Sequence, residues 1–375
     1  MNATRLTVCT LVLCLALVAC GSAPAPPAVS TPAAHATSAV GAALGTSTPA
    51  ATAAGGPVAP ASPAGAASPG ATTKLTIALG YIPDIQFAPF YMAKEGGYFR
   101  DAGLDVDFNQ SVETDVLKLV GTGALKFGVA SGDEVMVARS QGVPVVYVAA
   151  WYQKYPVTIV ARASANIHGV RDLKGHTVGV PGRFGTTYTG LLALLQNAGM
   201  SQSDIQIREV GFNQVQALSQ NQVDAIVGYT NNEPIQLKNL GVDTTTINVF
   251  DQVDLVSNGI VTNEQTLRDN SDLVRKVVGA VLRGTADTIA HPDTAVDTTL
   301  AKYVPEAKDK RALERQILDA TIPLWQSPVT AQHGLGYSDP AAWTTTKDVL
   351  TKLKMLGGDV DLSKVYTNQF VPTGR

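Results

Sequence analysis

Cysteine is almost missing from this chain. Of 375 residues only Cys9, Cys14 and Cys20 carry a thiol, and positions 21–375 have none. That excludes a disulfide framework and a thiolate cluster for zinc or iron–sulfur from everything after residue 20. The five histidines, His35, His168, His176, His291 and His333, are scattered and show no metal-ligand spacing, so no metal is expected. Positive charge is not in excess either: 28 basic residues stand against 31 acidic ones. A basic footprint for nucleic acid is absent, as is a Lys/Arg run for an anionic membrane surface. After the first 20 residues no apolar run approaches the roughly 20 residues that a membrane-spanning helix needs. Catalytic signatures are wanting too. There is no Gly-x-Ser-x-Gly elbow, and the glycine-rich stretch 182–187 lacks the Gly-Lys-Ser/Thr ending of a phosphate-binding loop. No catalytic residue and no cofactor is expected.

What is present begins with an N-terminal signal. Arg5 precedes an apolar run from Leu6 to Val18, which closes on Leu17-Val18-Ala19-Cys20. A basic start, a short apolar stretch and small residues before a cut site mark a secretory signal over residues 1–19. Its Leu-Val-Ala-Cys ending resembles a bacterial lipobox, which implies that Cys20 is lipidated and becomes the first mature residue. The alternative is an ordinary secreted protein cut at a nearby small residue. Loss of residues 1–19 removes Arg5 and leaves 27 basic against 31 acidic residues. With the lipid the protein is expected on the extracytoplasmic face of the cell membrane.

Residues 20–73 form the next region. Of the 53 positions 21–73, 48 are Gly, Ala, Pro, Ser or Thr; the exceptions are Val29, His35, Val40, Leu44 and Val58. Such a composition buries too little apolar surface to offset its ordering entropy. It is expected to be a disordered tether reaching roughly 40 Å by the square-root rule. A mucin-like glycosylated stalk is the other reading.

Ordinary globular composition starts at Lys74, and about 300 residues suggest two domains on a prior of about 150 residues each. Short apolar runs alternate with helical stretches. Leu75–Leu79, Leu104–Phe108, Phe127–Ala130 and Val143–Ala150 read as strands, and the pattern restarts with Thr177–Val180, Ile205–Val210, Ala225–Gly228 and Thr244–Phe250. Ser257–Thr262 is a further strand, and the chain is mostly helical from Leu267 on. This predicts an α/β protein of two parallel-sheet lobes. Lobe one takes 74–157 and 258–375, and lobe two takes 163–250. Two crossings, near Lys154–Arg162 and Asp251–Gly259, would act as a hinge.

Ligands of parallel α/β sheets bind beyond the carboxyl ends of the strands. Aromatic residues gather there: Tyr81 and Phe87 after the first strand, Trp151, Tyr152 and Tyr155 after the fourth, Phe184 and Tyr188 after Thr177–Val180, and Tyr229 after Ala225–Gly228. Facing walls of this kind would sandwich a planar ring; the competing reading is lobe-interface core. Tyr81, Trp151, Tyr152, Tyr188 and Tyr229 are the candidates for stacking, with Phe87 beside them. Gln86, Gln153, Asn232 and Glu233 would bond ring edges. Ser131, Asp133 and Thr186 open helices whose N–H groups would face a ligand. Helix capping explains Ser131 and Asp133 equally well, and a first-turn charge explains Glu233.

Gly80-Tyr81-Ile82-Pro83-Asp84-Ile85-Gln86-Phe87-Ala88-Pro89-Phe90-Tyr91, with Phe127–Asp133, Asp172-Leu173-Lys174-Gly175 and Tyr229-Thr230-Asn231-Asn232-Glu233-Pro234, resembles the substrate-binding lipoproteins of ABC importers. The family concerned binds thiamine pyrimidine precursors and riboflavin, and the likeness runs over about residues 75–372. It implies a bilobed type II periplasmic-binding fold and a monomeric receptor rather than an enzyme. It also implies an ABC permease and a cytoplasmic ATPase as partners. The first and last segments look more like the riboflavin receptors; a pyrimidine precursor is the alternative ligand, and an extracytoplasmic enzyme using the same cleft is the alternative class. Sulfonate and nitrate receptors share the architecture, but their anions fit poorly with Asp84, Asp133, Glu134 and Glu233. The cysteine-rich iron motif of the eukaryotic pyrimidine synthases is missing.

Overall fold

The computed structural model describes residues 72–372. The signal at 1–19, Cys20 and nearly all of the tether at 20–73 lie outside the described residues.

Among the described residues ten strands make two five-stranded sheets. The first sheet holds β1 (Thr73–Leu79), β2 (Leu104–Gln110), β3 (Phe127–Ser131), β4 (Val145–Ala150) and β10 (Asn258–Asn263), in the order β2-β1-β3-β10-β4. The second holds β5 (Val157–Arg162), β6 (Thr177–Val180), β7 (Gln206–Glu209), β8 (Ala225–Tyr229) and β9 (Thr244–Asn248), in the order β7-β6-β8-β5-β9. Strands β3, β4 and β10 are buried along their whole length, as in Phe127-Gly128-Val129-Ala130-Ser131 and Val145-Val146-Tyr147-Val148-Ala149-Ala150. Strands covered on both faces read as continuous apolar runs, which is why they are visible in the sequence.

Two expectations need correction. Neither sheet is purely parallel: β10 runs antiparallel to β3 and β4, and β5 runs antiparallel to β8 and β9. Residues 157–162, assigned from the sequence to a crossing, are the buried strand β5 of the second sheet. The chain passes between the sheets at 151–156 and again at 249–257. Each reversed strand is the first one made after a crossing. Its start therefore lies beside the carboxyl ends of its neighbours: Asn258 pairs with Ser131 and Gly259 with Ala150, while Val157 pairs with Tyr229. Both crossings are thus delivered to the end of the sheets where ligands bind.

Helices cover the sheets. In chain order they are α1 (Ala88–Glu95), α2 (Tyr98–Asp101), α3 (Glu113–Gly121), α4 (Gly132–Ser140), α5 (Gly185–Asn197), α6 (Gln214–Ser219) and α7 (Glu233–Asn239). After the second crossing come α8 (Glu264–Asp269), α9 (Ser271–Ala290), α10 (Pro292–Lys302), α11 (Arg311–Thr321), α12 (Pro328–His333) and α13 (Pro340–Lys352). On one face of the first sheet Phe90 and Tyr91 of α1, Val277 and Val281 of α9 and Ile317 of α11 share a core with Ile77 and Val148. On its other face Val116 of α3, Met136 of α4 and Trp343 of α13 pack with Tyr147. Gly284 lets α9 lie directly on α1, because a Cβ there would run into the Pro89 carbonyl. Leu191 and Leu194 of α5 cover one face of the second sheet, and Leu218 of α6 and Leu237 of α7 cover the other. Among the described residues no helix is long and apolar enough to cross a membrane.

Candidate ligand cleft

The carboxyl ends of the two sheets face each other across a cleft of about 730 Å³, counted with the solvent at its mouth. From the first sheet it receives Tyr81 after β1, Gln86 and Phe87 from the short turn 85–87, Glu113 at the start of α3, Trp151 after β4, and Asn258 at the start of β10. From the second come Phe184 and Thr186 around the start of α5, Phe212 and Gln214 after β7, and Tyr229, Asn232 and Glu233 around the start of α7. Gly185 turns with φ +75°, a left-handed conformation suited to glycine, and leads Thr186 into the cleft. Among the described residues no lysine, arginine or histidine lines it.

Three contacts join lining residues of the two walls, and outside the cleft Asn231 Nδ2 donates to Thr321 Oγ1 at 2.8 Å and Asn239 Nδ2 to Gln316 Oε1 at 3.3 Å. The Thr186 hydroxyl donates to Glu113 Oε2 at 2.8 Å, and the Tyr229 hydroxyl donates to Asn258 Oδ1 at 3.2 Å. Asn258 Nδ2 in turn donates to Glu113 Oε1, so one carboxylate gathers both bonds. Nearer the mouth Tyr81 and Phe212 meet edge to face, with ring centroids 4.9 Å apart. Below them Trp151 stacks on Phe87 at 5.4 Å and meets Phe90 edge-on at 5.2 Å. Trp151 is 4% exposed and its Nε1 has no hydrogen-bond partner. The side chain of Gln214, equally buried, has no partner among the described residues, and Asn232 uses only its Oδ1, which accepts from Gln236. The cleft thus presents apolar ring faces with a few unmatched amide and indole groups at their edges.

The acids nearby are held without cations. Glu233 accepts the Tyr229 N–H at 2.7 Å, and burial pushes it up to about 7. Asp84 accepts the Gln86 N–H at 2.9 Å, and burial of its carboxyl pushes it up to about 6. On the other side, burial and the nearby Glu113 raise Asp133 and Glu134 above the usual carboxylate range.

Eight of the thirteen sequence candidates come together on this lining: Tyr81, Gln86, Phe87, Trp151, Thr186, Tyr229, Asn232 and Glu233. The other five do not. Ser131 ends β3 fully buried, and its hydroxyl turns to Glu134 Oε2 at 3.4 Å. Asp133, on the first turn of α4, is also fully buried, with no hydrogen-bond partner on either carboxyl oxygen. Tyr152 lies behind Trp151 as a second layer, with its hydroxyl 3.5 Å from Gln86 Oε1. Gln153 turns to the C-terminal region, donating to the Tyr337 carbonyl and accepting from Ser327. Tyr188 is two residues beyond Thr186 on α5, about 200° around the helix, and donates outward to Gln202. Sequence reasoning missed Glu113, Phe212, Gln214 and Asn258 as lining residues. Phe212, 41% exposed, carried a signal, since an aromatic after a strand end was the criterion used elsewhere. Glu113 and Asn258 carried none, because a helix-first glutamate and a strand-first asparagine are ordinary.

Residues 84–295 match the family described as NMT1/THI5 like. The riboflavin-binding protein RibY of Chloroflexus aurantiacus is 41% identical over 305 residues, covering 80% of this chain and 87% of that protein. A 4-amino-5-hydroxymethyl-2-methylpyrimidine phosphate synthase of Legionella pneumophila is 24% identical over 306 residues, covering 80% and 93%. Among solved structures, the alkanesulfonate-binding protein SsuA of Xanthomonas axonopodis pv. citri, bound to MOPS, superposes with a TM-score of 0.63 at 18% identity, covering 79% and 98%. That likeness concerns the fold: two α/β lobes of the periplasmic-binding type. By family match and by its likeness to RibY, this chain belongs to the NMT1/THI5-like family.

Proposed function

We propose that this protein captures riboflavin outside the membrane and hands it to an ABC permease driven by a cytoplasmic ATPase. One observation carries the reading: aromatic side chains stand on both walls of the cleft, with amides at their edges and no cation among the lining residues. Such walls suit a neutral, flat, multi-ring ligand and disfavour an anion. The relative named for riboflavin binding, at 41% identity, supports the same ligand. Capture requires the Tyr81–Phe212 contact and the Thr186–Glu113 and Tyr229–Asn258 bonds to part, with hinge movement at 151–156 and 249–257. Lobe one then comprises the first sheet with α1–α4 and α8–α13, and lobe two the second sheet with α5–α7. The receptor acts as a monomer, lipid-anchored through Cys20 by the tether, and performs no covalent chemistry.

The test is a titration of the protein with riboflavin, followed by quenching of flavin fluorescence. Saturable one-to-one binding at micromolar affinity or tighter, undisturbed by hydroxymethylpyrimidine, is the expected result. Absence of quenching and of calorimetric heat from folded protein overturns the ligand. Binding of the pyrimidine instead assigns the cleft to a thiamine precursor, and a new product on incubation assigns it to an enzyme.

A further inference from the structure

A second pocket adjoins the cleft. It lies on the outer side of the Tyr81–Phe212 pair, has about 950 Å³ counted with open solvent, and shares Tyr81, Phe212, Gln214, Asn232 and Glu233 with the inner cleft. Its character differs. Where the inner cleft shows ring faces, the outer pocket shows the amides of Asn213, Gln216, Gln220 and Gln236, with the carboxylates of Asp84 and Glu233. No lysine or arginine lines it among the described residues. An amide both donates and accepts, as does a hydroxyl, so a row of amides matches a chain of hydroxyls. A phosphate fares worse: neutral amide N–H groups are its donors, two carboxylates repel it, and no guanidinium or ammonium is there to pair with its charge.

We infer that the outer pocket receives the hydroxyl-bearing tail of a ring ligand held in the inner cleft, and that its carboxylates turn away the phosphorylated form of that tail. The inference rests on the function proposed above and assigns to the ligand an orientation, rings inward and polyol outward. Tyr81 and Phe212 then flank the junction between ring system and tail, which explains why both residues line both pockets.

Three flavins separate the contributions: lumichrome, which has the rings and no ribityl chain; riboflavin, with a neutral tetrahydroxy chain; and FMN, the same chain ending in phosphate. Each is titrated against the protein at pH 8, where both carboxylates are charged. Riboflavin is expected to bind at least tenfold more tightly than lumichrome, and FMN at least thirtyfold more weakly than riboflavin. Gln216→Lys, on the exposed face of α6 at the pocket rim, is expected to narrow the gap between riboflavin and FMN by tenfold or more. Equal affinities for lumichrome and riboflavin overturn the tail site while leaving riboflavin capture standing. Equal affinities for riboflavin and FMN overturn the exclusion of phosphate. If neither lumichrome nor riboflavin binds, the proposed function fails and the inference fails with it.

Discussion

Glu233→Gln should make the protein more stable in alkaline solution. Glu233 opens α7 with 6% exposure, and its Oε2 accepts the Tyr229 N–H at 2.7 Å. Burial raises it from 4.5 to about 7, and Asp84 across the cleft adds to the rise. The folded state therefore holds this proton more tightly than the unfolded state. Between pH 4.5 and 7 the folded form binds more protons, so stability falls as the pH climbs through that window, and the loss persists above it. At about 1.4 kcal/mol per pH unit the full loss is about 3 kcal/mol at pH 8. Glutamine does not ionise, and its side-chain carbonyl still accepts from Tyr229. Urea denaturation of the two proteins at pH 8 and pH 4.5 measures the difference. The variant is expected to gain about 3 kcal/mol at pH 8 and to match the native protein within roughly 0.5 kcal/mol at pH 4.5. Equal stability at pH 8, or a variant that is weaker there, would refute the claim that burial of the Glu233 carboxyl outweighs its hydrogen bond from Tyr229.

Trp151→Ala should cost about 3–5 kcal/mol of stability, since the indole is buried against Phe87, Phe90 and Tyr152; chemical denaturation reads this directly. Its effect on riboflavin affinity must therefore be taken from Trp151→Phe, for which a smaller stability loss and a several-fold weaker complex are expected. Gly228→Ala sets a Cβ 2.5 Å from Glu233 Cδ and should drive that carboxylate off the Tyr229 N–H. The expected outcome is a loss of about 1–3 kcal/mol on unfolding and at least tenfold in riboflavin binding by titration. Thr186→Val removes the bond to Glu113 that ties the walls together. Stability should change by about 1 kcal/mol or less, while small-angle scattering of the ligand-free protein should show a larger radius of gyration; an unchanged radius would mean that this bond does not hold the lobes.

The two lobes were legible because their strands are short, apolar and bounded by turns. Thr177–Val180 has the same limits in the sequence and in the structure, and Phe127–Ser131 differs by one residue. Val157–Arg162 escaped notice because it follows the aromatic run 151–155 and Pro156 with no helix between. A strand without its helix breaks the alternation by which the others were counted. Its direction was hidden for the same reason: an antiparallel neighbour has the same local composition as a parallel one.

The sequence by itself determined the chemistry available: no thiols beyond residue 20, no basic cluster, and aromatics and amides after the strands. Those are properties of residue type and spacing, and folding does not alter them. The tertiary structure alone decided which of these residues share a surface. Tyr188 leaves the cleft because a helix turns about 100° per residue, and Gln153 leaves it by bonding to Tyr337, 184 positions away. Glu113 enters it because Asn258, 145 positions later, starts a reversed strand at the carboxyl end of β3. Contacts over such separations depend on sheet order and strand direction, and neither is encoded in any local run of residues.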